Sequence, residues 1–155
     1  MMPNKTVTGL QPYPDSLAGS LLAAREAVMA PIRPHLRAAN VTEQQWRVLR
    51  VLAEADTLDA KAIAAHALLY PPTVTRILKE LTDRGLIERR HDPLDGRRTI
   101  ITLAAAGYEL VQNTAADTRL LLDEYAKAFG EERLAAFKRE AQALASALSD
   151  FRPKD

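Results

Sequence analysis

The chain predicts a mainly α-helical fold with a small β-hairpin: a winged helix-turn-helix carried between long N- and C-terminal helices. Three observations predict it. Two short helical patterns after Ala53 are split by LLYPP, the following GLIERRHDPLDGRRTIITL reads as a charged hairpin, and apolar residues recur at helical spacing on both sides of this block. A helix-turn-helix followed by a basic wing is a shape that reads duplex DNA.

Residues 1–14 lack periodicity and read as a flexible arm, after which Asp15 or Ser16 can cap a helix over 15–39. Its apolar stripe is Ala18, Leu21, Leu22, Val28, Met29, Ile32 and Leu36, with Arg25 inside it. Pro31 and Pro34 each remove a backbone donor and should kink or stop it. The reading block spans 40–103. Thr42 and Gln45 have the spacing of a capping box, starting a helix that buries Val48, Leu49, Leu52 and Ala53. A short helix follows over Asp59 to His66, with Ile63 and Ala64 inward.

In PPTVTRILKELTDRG, Val74, Ile77, Leu78 and Leu81 fall at i, i+3, i+4 and i+7, leaving Thr73, Thr75, Arg76, Lys79 and Glu80 outside the stripe. Prolines suit a first turn and Gly85 the left-handed position past the end. Leu86 to Arg90 and Arg98 to Leu103 are extended runs around the turn HDPLDG. The tail, 104–151, returns to helix with Leu110, Val111, Thr114, Leu121, Leu122, Tyr125 and Phe129 on one side, broken at Gly130. Its last helix carries Leu134, Phe137, Ala141, Leu144, Leu148 and Phe151, a seam that invites a partner helix.

With 155 residues, 47% apolar and 5% aromatic, the chain suits one helical domain with an adequate core. No run of about 18 apolar residues exists, so a cytoplasmic protein without membrane contact is expected. Cysteine is absent, which excludes disulfides, thiolate catalysis and thiol sensing. Net charge is only +1, yet Lys and Arg outnumber Asp and Glu 8 to 6 over 57–103, and the ratio is 7 to 9 over 104–155. The basic residues concentrate where the hairpin is.

The candidate DNA contacts follow from chemistry. Thr73 and Thr75 suit thymine methyls or phosphates, Arg76 can bond guanine twice, and Lys79 suits phosphate. Pro72 and Arg84, at the two ends of this helix, and Arg90 on the first strand complete that face. Arg97 and Arg98 follow the turn, where a narrow minor groove favours arginine. Asp95 beside them should pair with a nearby arginine and fix the wing. Exposed arginines on a hairpin also discourage strand aggregation.

Arg25 needs an anion, because a guanidinium is costly to bury on an apolar face. A small aromatic carboxylate or phenol is one answer, with Met29, Trp46 and Tyr13 as walls and Arg33 or His35 adding a hydrogen bond. An internal or inter-subunit ion pair is another, and snorkelling to water a third. His35, His66 and His91 fall on separate elements, so no metal site is expected. No nucleophile arrangement or phosphate loop is present, Glu131 and Glu132 suit a helix N-terminus, and neither an enzyme nor a cofactor is expected.

Over residues 15–150 the order of these pieces resembles the MarR family of winged helix-turn-helix regulators. The most specific pieces are RGLIERR, the turn with Asp95, Arg97 and Arg98, and the TLAAAG that opens the next helix. REAVM and TEQQWRVLRVLAE look like the branch controlling homoprotocatechuate (4-hydroxyphenylacetate) degradation, the HpaR type. The resemblance implies a homodimer whose N- and C-terminal dimerisation helices interlock into one intertwined domain. It also implies a palindromic operator in double-stranded DNA, read by both recognition helices and wings, and repression of aromatic catabolism relieved by an aromatic acid or phenol bound near Arg25 and Trp46. Pro71 and Pro72 depart from the family, many members of which place Ser or another capping residue there. Two other functions fit the residues: a protein-interaction module on a winged fold, and a constitutive DNA binder without effector.

Overall fold

Local chemistry starts each helix where the chain has a cap to offer. The computed structural model describes residues 9–55 and 57–151. Tyr13–Asp15 form a 3-10 turn, so the arm is structured at its end, and Met1 to Thr8 lie outside the described residues. Ser16 then accepts a hydrogen bond from Gly19 N at 3.0 Å and starts α1, Leu17–Met29. Pro31 and Pro34 interrupt the backbone ladder, and a separate α2, Arg33–Ala38, follows. The segment 15–39 is therefore two helices rather than one bent helix.

Thr42 and Gln45 form the capping box that opens α3, Glu43–Glu54: Thr42 Oγ1 accepts from Gln45 N at 3.1 Å, and Gln45 Oε1 accepts from Thr42 N at 3.0 Å. Trp46, Val48, Leu49 and Leu52 are buried on it. Ala53 is exposed, contrary to the sequence expectation, because the buried stripe follows Val48, Leu49 and Leu52 and leaves the next position outside. Asp59 caps α4, Ala60–Ala67, accepting from Ala62 N at 2.8 Å. Leu68 turns left-handed at φ 53°, and Pro71 begins α5, Pro71–Asp83. Gly85 takes φ 68°, as its position past the helix end requires.

The hairpin is β1, Ile87–His91, paired antiparallel with β2, Thr99–Leu103, in a register that sets Arg89 opposite Ile101 and Arg90 opposite Ile100. Leu58 adds a partner that sequence reasoning missed, exchanging two backbone hydrogen bonds with Ile101 at 3.2 and 2.7 Å. The wing is thus tied to the start of the helix-turn-helix. Beyond it run α6, Ala105–Phe129, and α7, Glu131–Ser149. Gly107 lies against the backbone where the recognition helix meets the wing, so that a Cβ there would collide with the Leu86 carbonyl oxygen.

The core sits within the reading head. Leu36, Val48, Leu49, Ile63, Val74, Ile77, Leu78, Leu81 and Ile101 are its fully buried side chains. Ile32 and Leu36 reach it from the N-terminal side and Val111 from α6, whereas Ala18, Leu21, Leu22 and Val28 of α1 are exposed. Among the described residues, α7 buries none.

Candidate nucleic-acid interface and effector cavity

The buried stripe of α5 forces its other face outward. Pro72, Thr75, Arg76 and Lys79 are exposed and Thr73 is half-buried. Tyr70 occupies the cap position without a side-chain cap bond, so the two prolines, which lack amide donors, stand where other helices need a cap. Thr75 Oγ1 donates to Pro71 O at 3.2 Å, leaving its lone pairs and methyl outward. Arg76 donates to Glu80 at 2.8 Å, and Glu80 also accepts from Gln45 Nε2 at 2.9 Å. Glu80 is therefore held from α3 while Arg76 is free to leave it. Lys79 bonds Asp83 at 2.9 Å, which raises its pKa above the ordinary lysine value. Arg84 stands at the other end of α5, roughly 18 Å along the axis from Pro72, in a groove with Arg37, Asn40, Gln45 and Glu80. The structure does not bring it beside the other candidates.

At the wing, Asp95 does not pair with a guanidinium as the sequence analysis expected. Its Oδ1 accepts the Arg97 backbone amide at 3.1 Å, and its carbonyl accepts the Arg98 amide at 2.9 Å. A short side chain two residues upstream reaches the backbone more readily than a long side chain's head. Arg98 pairs instead with Asp59 at 2.9 Å and approaches Asp92 at 4.0 Å. Its guanidinium braces the wing against the start of α4, so a role as strut replaces that of a freely projecting contact. The Asp59 carboxyl is held below its ordinary value by the Ala62 amide first and by Arg98 next. Arg97 and Arg90 remain exposed with no charged partner among the described residues.

A cavity of 280 Å³ opens between the N-terminal helices, α3 and α6. Arg25, Met29 and Ile32 line one side, Glu43, Trp46, Arg47 and Arg50 the second, and Thr118 and Leu122 the third. The volume lies just below the usual span of ligand cavities, roughly 300–1,000 Å³, which suits a single-ring molecule. Arg25, Met29 and Trp46 come together here as the sequence analysis expected. Tyr13 does not: it stands exposed in the 3-10 turn. His35 faces Asp117 at 3.8 Å, outside the cavity lining. Arg33 reaches the site only through its neighbours.

The anion Arg25 needed is supplied by the chain itself. Arg25 bonds Glu43 at 2.5 Å and Glu26 at 3.0 Å, and Arg33 bonds the same two carboxylates at 2.5 and 2.7 Å. Arg33 and then Arg25 hold the Glu43 carboxyl below its ordinary value, while Glu43 and then Glu26 raise the Arg33 pKa. This closed square joins α1, α2 and α3. Sequence reasoning missed Ile32, Glu43, Arg47, Arg50, Thr118 and Leu122 as cavity residues. Arg50 had a legible signal, lying one turn after Trp46, and Thr118 lies one turn after the buried Thr114.

Among the described residues no group of His, Cys, Asp or Glu could hold a metal, and no helix is long and apolar enough to cross a membrane. A basic hairpin braced against a helix-turn-helix whose second helix exposes Thr75, Arg76 and Lys79 defines a winged DNA-binding protein. The chain belongs to the MarR family, whose profile matches residues 39–98. It is 36% identical over 118 residues to the HTH-type transcriptional regulator FarR of Neisseria gonorrhoeae, covering 76% of this chain and 81% of that one. It is 41% identical over 96 residues to the homoprotocatechuate degradative operon repressor of Escherichia coli, covering 62% of this chain and 65% of the repressor. NadR in complex with 4-hydroxyphenylacetate superposes with a TM-score of 0.77 at 35% identity, over 88% of this chain and 96% of NadR. The curated relatives are transcriptional regulators, not enzymes.

Proposed function

We propose that this regulator is a cytoplasmic homodimeric repressor of aromatic catabolism, released from a palindromic operator by a small aromatic acid or phenol. The observation that carries the reading is the cavity itself. Trp46, a half-buried wall of Met29, and three arginines meet where the N-terminal helices and α6 touch α3, which in turn packs on the recognition helix. An aromatic ring matches the indole and thioether, and an acid matches the arginines. The likeness to NadR bound to 4-hydroxyphenylacetate, and to a repressor of homoprotocatechuate degradation, supports the same ligand class. Exposed Leu17, Leu21, Leu22, Phe137 and Leu148 on the terminal helices support dimerisation.

Release requires a coupling free energy. An effector must bind the DNA-incompetent spacing of the two heads better than the competent one, by about 1–3 kcal/mol for typical coupling. DNA contact falls to Thr73, Thr75, Arg76 and Lys79 in the major groove and to Arg97, with Arg90 behind it, at the wing.

The Arg25–Glu43 pair favours a second reading, a constitutive DNA binder in which that arginine is structural. Fluorescence anisotropy on DNA from upstream of the protein's own gene, repeated with 4-hydroxyphenylacetate, homoprotocatechuate and salicylate, separates the two. Salt-sensitive binding relieved by one acid establishes the repressor; binding that no acid disturbs establishes the constitutive binder.

A further inference from the structure

We propose that Arg47 takes the ligand's carboxylate in the cavity and reports its capture to the turn of the helix-turn-helix. This rests on the cavity being the effector site. Three arginines line it, and two of them meet carboxylates of the chain. Arg25 is shared between Glu43 and Glu26, and Arg50 pairs with Glu54 at 3.2 Å while lying 5.9 Å from the Trp46 ring. Arg47 meets no carboxylate among the described residues. Its Nη1 donates to Leu68 O at 3.3 Å, and its Nε is buried with no acceptor.

An orphaned buried N–H costs free energy, and arginine does not escape by losing its proton. The group therefore needs an acceptor that the described residues do not supply. A carboxylate provides both the acceptor and the countercharge. The edge of a guanidinium that carries Nε presents two parallel N–H groups, Nε and Nη2, and this pair matches the two oxygens of a carboxylate. Leu68 occupies Nη1, which lies off that edge, so the matching edge is the unfilled one.

The other end of the same side chain touches the switch. Leu68 is a non-glycine residue at φ 53°, a left-handed conformation that its surroundings must hold in place. Three residues later α5 begins. Arg47, which lines the cavity, thus joins it to the backbone that aims the recognition helix. An acid that turns this guanidinium toward itself weakens the bond to Leu68 and loosens that aim.

The test is calorimetric titration of the full chain with 4-hydroxyphenylacetate and with its uncharged amide, 4-hydroxyphenylacetamide, for wild type and Arg47→Gln. Wild type should prefer the acid by roughly 10- to 100-fold, the size of a charge-assisted contact. Arg47→Gln should bind the amide as wild type does, bind the acid no better than the amide, and keep its grip on DNA when the acid is added. Retained amide binding shows that the variant is folded. If Arg47→Gln fails to fold, Arg47→Lys keeps the charge without the fork and should lose most of the preference. A variant that keeps the full acid preference overturns the assignment of Arg47 alone. Wild type that binds neither compound overturns the effector reading and this proposal together.

Discussion

Val74, Ile77, Leu78 and Leu81 of α5 are at most 1% exposed, whereas on the equally regular seam of α7 Phe137 remains 45% and Leu148 49% exposed. Both helices announce an apolar stripe at helical spacing. In α5 the chain's own α3, α4 and β1 cover it; in α7 the intrachain packing is mainly against α6, with Phe129 and Phe137 edge to face at 6.5 Å. Periodicity shows that a face requires cover. It does not say which molecule supplies it.

The sharpest break of this contrast is in the core. Ile77→Ala should cost about 2–5 kcal/mol in urea unfolding, since a fully buried side chain leaves a cavity. On α7, Phe137→Glu with Leu148→Glu should leave the reading head folded by circular dichroism but halve the mass in light scattering. DNA affinity should then fall about 100-fold or more as two linked heads become one. An unchanged mass would falsify cover of α7 by a second copy.

Smaller effects sharpen the reading face. Arg76→Ala should cost about 1–3 kcal/mol at one operator position and relax specificity there. Arg97→Ala should lower the slope of log affinity against log salt by about 0.9. Asp59→Ala removes both a helix cap and the anchor of Arg98 and should lower stability by about 1 kcal/mol for the cap alone. Asp59→Asn keeps a capping oxygen, so its difference from wild type isolates the strut. Because the Asp59 carboxyl is held below its ordinary value, its contribution is complete above roughly pH 4 and is lost as the pH falls further. The melting temperatures of wild type and Asp59→Asn should converge over that range.

The reading head was legible because its signals are local. The capping box of Thr42 and Gln45, the stripe of α5, Gly85 and the turn between the strands each lie within a few residues of their partners. The charged contacts were not legible for the opposite reason. Arg25 finds Glu43 eighteen positions away and Arg98 finds Asp59 thirty-nine away, and sequence spacing carries no trace of either meeting. The Leu58 bridge to Ile101 is hidden in the same way. Arg47 has no local signal, since its orphaned Nε exists only once α3 packs beside the turn at Leu68. Gly107 is different: a glycine inside a helical run marks a close backbone approach, and that signal was available to read.

At 25 residues α6 is a single rod about 37 Å long, seated at one end by Gly107 against Leu86 and latched at the other by Tyr125 Oη to Val28 O at 2.9 Å. It is a lever with its short arm under the wing. A tilt of roughly 5° at the glycine pivot sweeps the far end through about 3 Å, given a rise of 1.5 Å per residue. Such a tilt shifts the core residue Val111 by only about 0.5 Å, yet once the Tyr125 latch to Val28 is released it displaces the far end by nearly the step from one base pair to the next.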